Sequence, residues 1–298
     1  MPTNVQGLRV KNRRSHARRA PGLQSVVNLL CAATLFVVLA CAPPPAQNQN
    51  ATPAPTPAAM PAPAPTPGPQ ADNVVGDITV TPFRHASLQL EHAGKVILVD
   101  PTSEGDYSAV KPADLILVTH SHSDHFNTKA IENHRKAGAP VVGPAEVAKK
   151  FKGMTTIANK QSMTFAGILV EAVPMYNLQN GRAARYHRLG IWSGYVLTLG
   201  TRRVYVAGDT ECAPEIQALK SIDVAFVPMN LPYTMSPAAA AQCVKAFKPK
   251  VVFPYHYFNA DTGTYQNRDE FKAALAGEPV EVRLLDWYPA KPTGGNNR

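Results

Sequence analysis

"VTHSHSDHF" (residues 118–126) sets three histidines and an aspartate within six positions behind an apolar run. Packing does not call for such a cluster, because histidine is not a favoured core residue and three so close repel one another when protonated. His120 and His122 are two apart at the end of an extended run, so their side chains point the same way. Asp124 and His125 follow where the chain turns toward a helix. Imidazoles with a carboxylate suit zinc, and also iron or manganese, because the donors mix nitrogen with hard oxygen. The plainer alternative is a solvated His-rich loop, but H-x-H-x-D-H is more specific than composition.

Two polar residues end apolar strands further along. "RVYVAGDT" (203–210) sets Asp209 at the tip of one, and "KVVFPYH" (250–256) sets His256 at the tip of another. Alone, an Asp after Gly is usually a turn residue and a His after a strand is often structural. Strand ends are also where layered α/β folds bring functional groups together. With the 120–125 cluster, the functional reading is the stronger one.

The chain has 298 residues and a formal charge of +9. Residues 1–40 hold six basic side chains and no acid, so the remaining 24 basic and 21 acidic residues nearly balance. The basicity belongs to the leader, and no nucleic-acid partner is expected. That leader runs from the basic stretch into "VVNLLCAATLFVVLA" (26–40), the pattern of an export signal. Its end, "VLAC", resembles a bacterial lipobox in which Cys41 is lipidated. The segment 1–41 is thus expected to be a signal peptide, with ordinary secretion as the alternative to a membrane lipid anchor. Residues 42–71 contain 11 prolines and no charge, so they read as a disordered Pro/Ala-rich linker of extended, semi-rigid character. One domain is expected over 77–288, followed by a disordered tail, 289–298. Cys212 and Cys243 are the two cysteines left in the domain, as a disulfide or as free thiols.

Short apolar strands such as "SLQLEH", "KVILVD" and "DLILVT" lead the domain, with helices expected near 128–137 and 144–151. "SMTFAG", "ILVEAVP", "GYVLTLG" and "RVYVAG" follow as strands. Helices near 214–220, 237–247 and 269–276 then alternate with "DVAFVP", "KVVFP" and "VEVRLL". Ser236 before Pro237 is a good helix start. Strand-rich blocks interrupted by helices point to a layered α/β domain.

H-x-H-x-D-H, then G-D-T after a strand, then P-x-H after a later one, resembles the metallo-β-lactamase superfamily over about residues 77–288. "HASLQLEHAGKVILVDP" and "PYTMSP" resemble its ascorbate-6-phosphate lactonase-like branch. The resemblance implies a four-layer αββα sandwich with one or two divalent metal ions at one edge. It implies His120 and His122 on a first ion, Asp124, His125 and His256 on a second, and Asp209 bridging them. The family's usual third histidine for the first ion is absent, since "VEAVPMYN" ends in Asn177. His187 is the nearest candidate for that place or for a substrate contact, and an exposed loop histidine is the other reading. By resemblance His85 begins a strand near the pocket, and Asp100 sits behind the ligands. His92 and His134 read as structural or surface residues.

The expected reaction is hydrolysis by a metal-bound hydroxide, because a cation lowers the pKa of water from 15.7 to ~7. Asp124 would orient the attacking water, and His187 or a second water would protonate the leaving group. The expected substrate is a small-molecule or lipid-like ester, lactone or phosphodiester. The alternative is a surface-tethered binding protein without turnover, which Asn177 favours.

Overall fold

Two seven-stranded mixed sheets form the domain in a computed structural model that describes residues 72–178 and 181–289. The leader with Cys41, the proline-rich tract 42–71 and the tail beyond Pro289 lie outside the described residues. The first sheet runs in chain order through β1 (Val74–Val75), β2 (Ile78–Arg84), β3 (Ser87–His92), β4 (Lys95–Val99), β5 (Leu115–Leu117), β6 (Val141–Gly143) and β7 (Thr155–Thr156). Its first four strands are antiparallel, and β4 to β7 are parallel.

The second sheet is built from β8 (Ser162–Phe165), β9 (Ile168–Met175), β10 (Trp192–Leu199), β11 (Arg202–Val206), β12 (Val224–Pro228) and β13 (Val251–Tyr255). A small hairpin of β14 (Phe258–Asn259) and β15 (Thr264–Tyr265) follows, and β16 (Glu281–Val282) closes the second sheet beside β13. The pairs β11–β12, β12–β13 and β13–β16 are parallel.

Period-two alternation explains the layering. On β4 and β5, Ile97, Val99, Leu115 and Leu117 join the core shared with the second sheet. Their neighbours Val96, Leu98, Ile116 and Val118 instead pack with Ile131 and Val147 from α1 (Thr128–His134) and α2 (Ala145–Ala148). Beyond the second sheet, α3 (Pro214–Gln217), α4 (Pro237–Phe247) and α5 (Arg268–Ala274) bury Ile216, Val244 and Phe271. The fold is the expected αββα arrangement.

The helix over 237–247 has its expected ends, with Ser236 Oγ accepting from Ala239 N at 3.2 Å and Pro237 in the first turn. The other helices are shorter than the apolar pattern implies. The first stops at His134 because Arg135 turns extended and the chain bridges back to Ala113. The strands β6 and β7 carry three and two residues, too few for an alternating pattern to register. No helix among the described residues is long and apolar enough to cross a membrane.

Cys212 and Cys243 are joined in a disulfide, Cα atoms 5.4 Å apart across 31 positions of sequence. It ties the segment after β11 to α4, resolving the choice left open by the cysteine count. Closing a loop of that length stabilises the fold by about 3–4 kcal/mol in the chain-entropy account. Reduction is therefore expected to lower the urea midpoint measurably, with Cys212 and Cys243 becoming alkylatable only after reductant is added. Alkylation mapped to these two residues in the untreated protein would show the bond to be absent.

Candidate metal centre

Six strands of the two sheets deliver polar side chains just past their ends. Asp100 follows β4, His120 to His125 follow β5, Asn177 follows β9, Asp209 follows β11, Asn230 follows β12 and His256 follows β13. Three site residues bend the backbone to get there, with φ of 54° at His85, 47° at Asp100 and 48° at His256. A left-handed conformation at a non-glycine residue costs ~1 kcal/mol or more and concentrates at functional sites. Gly208 (φ 66°) is required next to Asp209, because a Cβ there would collide with Met175 Sδ and press on Thr119.

Asp100 is the anchor behind the cluster. It is fully buried, and it accepts from Thr119 N at 2.7 Å, Thr119 Oγ1 at 2.6 Å and His125 Nδ1 at 2.9 Å. The single hydroxyl proton of Thr119 goes to Asp100, so Thr119 Oγ1 accepts from His120 Nδ1–H at 3.0 Å. Both histidines are thereby left with Nε2 facing forward. This is the expected carboxylate behind the ligands.

His120, His122 and His187 bring ligand atoms within 4.8 Å of one another, and so do His125, Asp209 and His256. Asp209 lies between the groups, with Oδ1 3.4 Å from His125 Nε2 and Oδ2 3.6 Å from His187 Nε2 and 3.7 Å from His256 Nε2. Asp124 Oδ2 stands 3.2 Å from His256 Nε2 and 3.9 Å from His125 Nε2. The structure thus brings all six expected ligand positions together and adds His187 to them.

His187 is 1% exposed, so it is not a surface loop histidine. Its ring lies 5.3 Å from that of His120 and 5.2 Å from that of His122, with Trp192 behind all three. Asn177 is not grouped with the candidate ligands; its amide donates to the backbone carbonyls of Ala183 and Tyr233 and lies beside His187 Nδ1.

His85 does not begin a strand; it occupies the turn between β2 and β3. Sequence reasoning underrated it, for it forms a third close group with Asp124 and His256. Its Nε2 is 3.1 Å from Glu104 and its Nδ1 3.2 Å from Tyr288 Oη. Tyr288 and Asn230, both beside His256, were not singled out at all. No local pattern marks either. His92 pairs with Asp77 at the far end of β3, and His134 stacks on Tyr107, so both are structural, as expected.

Electrostatics favour a cation here. Burial, together with His125 and His187, holds His120 well below the usual imidazole range, and burial lowers His187 to about 4 despite Asp209. Both are neutral donors at neutral pH. Burial would lower His125 as well, but Asp209, Asp124 and Asp100 outweigh it and raise it well above the ordinary value. Burial would raise Asp209, but His256 and His125 hold its carboxyl well below the usual range.

The donor set fits a divalent ion on a direct structural criterion. His120 Nε2, His187 Nε2 and Asp209 Oδ1 are buried and make no hydrogen bond. Native interiors rarely leave such atoms without partners, and a bound metal ion at each histidine group would satisfy them. Because His125 carries two protons near neutral pH in metal-free protein, loading a divalent ion there is expected to release about one proton. The calorimetric binding enthalpy should then change with the ionisation enthalpy of the buffer. A buffer-independent enthalpy would count against His125 as a ligand.

The chain is similar to several known proteins. The beta-lactamase superfamily domain matches residues 79–256. A UPF0173 metal-dependent hydrolase from Thermococcus kodakarensis is 36% identical over 215 residues, covering 67% of this chain and 93% of the relative. A crystal structure from Parabacteroides distasonis, described as a metal-dependent hydrolase, is 39% identical with a TM-score of 0.64, covering 70% of this chain and 92% of that one. Igni18, a metallo hydrolase from Ignicoccus hospitalis, is 25% identical with a TM-score of 0.59, covering 70% of this chain and 95% of its own.

Proposed function

Since the chain belongs to the beta-lactamase superfamily and is a metal-dependent hydrolase, we propose that it cleaves an ester, lactone or phosphodiester bond. The reading assigns one or two divalent ions, zinc foremost and manganese or iron next. His120, His122 and His187 would hold the first, Asp124, His125 and His256 the second, and Asp209 would face both. The observation that carries it is the pair of close groups, His120–His122–His187 and His125–Asp209–His256, in which His120 Nε2, His187 Nε2 and Asp209 Oδ1 are buried without a hydrogen bond.

Bound ions supply a more acidic water and positive charge for the oxygen that gains electrons. The chain's own residues do the rest. Asp124 is the most accessible of the three carboxylates, its side chain 33% exposed against 4% for Asp209. Its Oδ2 faces His256, which leaves the other oxygen to orient the attacking water. His187 is buried and neutral at pH 7, so it serves as a ligand in preference to a proton donor. Trp192 walls the first histidine group, and Tyr288 the second. The binding-only alternative drew its support from Asn177, and His187 beside His120 and His122 takes that support away.

The test is metal analysis of protein purified without added metal, followed by a generic ester, a lactone and a phosphodiester. Absence of bound metal, with no turnover after loading with zinc, manganese or iron, would sink the reading. Asp209→Ala should lower metal content and cut turnover by about 100-fold or more, since even outer partners of ligands cost 10–100-fold. Unchanged stoichiometry in that variant would falsify its place between the ions.

The same reading sets the enzyme outside the cytoplasm, anchored through a lipid on Cys41 or secreted, with the proline-rich tract as its tether. Support comes from the basic and apolar leader and from the Cys212–Cys243 bond, because disulfides persist in oxidising compartments. A lipid-like or other small-molecule substrate suits that position. Mass spectrometry of the mature protein should find a lipidated Cys41 at the N-terminus. Retention of residues 1–40 would end the export reading.

A further inference from the structure

Asn177 stands at the end of β9, and its side chain makes contacts that bear directly on His187. Its amide Nδ2 donates to Ala183 O at 2.8 Å and to Tyr233 O at 2.6 Å, which uses both amide protons. The opposite orientation would set the amide oxygen against two carbonyl oxygens, so the amide direction is fixed. Its backbone N–H donates to His187 O at 2.9 Å. One residue therefore binds the backbone on the His187 side at Ala183 and His187 and ties both to Tyr233.

The consequence for His187 is chemical as well as geometric. Asn177 Nδ2 lies 3.1 Å from His187 Nδ1 but has no proton left to give it. The Asn177 amide thus lies against the Nδ1 side of the ring. Nε2, on the opposite side, is buried, without a hydrogen bond and 3.6 Å from Asp209 Oδ2. Tyr233 is held in turn because its N–H donates to Asn230 O at 2.8 Å, while Asn230 Nδ2 lies 3.0 Å from His256 Nδ1. The short turn 230–233 thus reaches both groups, His187 through Asn177 and both ring nitrogens of His256 through Asn230.

We infer that Asn177 is the positioning residue for His187, setting the ring's place through its hold on the backbone of Ala183, Tyr233 and His187 itself. This rests on the metal-centre reading above and extends it. A histidine supplied by a loop needs such a residue, because a loop does not hold a ring as a strand end does.

The test uses the full chain, stripped of metal and titrated with cobalt(II), read by calorimetry and by the visible absorption of the bound ion. Asn177→Asp keeps the shape but turns a carboxylate oxygen on two carbonyls, and Asn177→Ala removes the contacts altogether. Both are expected to weaken one cobalt equivalent by about 10-fold or more and to alter its spectrum, leaving the other equivalent as in wild type. His187→Ala should lose that same equivalent. Thermal unfolding of each variant separates this from general destabilisation, which would not select one equivalent. Wild-type affinities and spectra in Asn177→Asp or in folded Asn177→Ala, with His187→Ala impaired, would overturn the role of Asn177 alone. A wild-type protein that takes up no cobalt would overturn the metal-centre reading and this inference together.

Discussion

Three carboxylates, Asp100, Asp124 and Asp209, share one edge of the sandwich, and among the described residues only histidines form ion pairs with them. Asp100 and Asp209 are buried, and an uncompensated buried carboxylate costs several kcal/mol. Lysine or arginine would solve that problem permanently and leave nothing to bind. Histidine solves it conditionally: His125 takes a second proton when nothing else is present and can give it up to a cation. The polar edge thus carries a positive charge that is exchangeable, where lysine or arginine would make it permanent.

The sheets make this crowding possible. The strands β4 and β5 are parallel in one sheet, and β11, β12 and β13 in the other, so consecutive strand ends fall on one side. Antiparallel pairing of β9 and β11 with β10 between them sends the end of β9 to the same side. Strand ends are rigid, because the residues before them are locked in ladders and buried on both faces. Left-handed backbone at Asp100 and His256 then turns each side chain out of its strand and into the cluster. The core shared by the two sheets offsets both that strain and the desolvation of the polar edge.

Much of this was legible in the sequence because strand ends announce themselves. An apolar run followed by His120, Asp209 or His256 marks both the strand and the direction it points. The third histidine was not legible in the same way. His187 sits after a loop with no apolar run before it, and its position depends on Tyr233, 46 residues later. His85 was misjudged for a similar reason: its surroundings are set by a left-handed turn and by Tyr288, at the other end of the domain. The disulfide could not be decided from two cysteines because pairing is a distance in space. The shorter helices reflect tertiary constraints, such as the bridge from Arg135 to Ala113, overriding a favourable local pattern.

The two histidine groups therefore differ in kind. His125, Asp209 and His256 are held by strands and by buried partners, so their geometry exists before any ion arrives. His187 depends on a closed loop, and a loop opens more readily than a sheet. Whatever disturbs Asn177 or its backbone partners then disturbs the place of His187. Glu211 strengthens the link, since its carboxylate accepts from Leu178 N at 2.7 Å at the start of the loop. Glu211 lies two residues after Asp209 and one before Cys212, whose disulfide reaches α4. The carboxylate between the groups, the contact to Leu178 and the covalent tie to the helix layer thus share one short stretch of chain, 209–212.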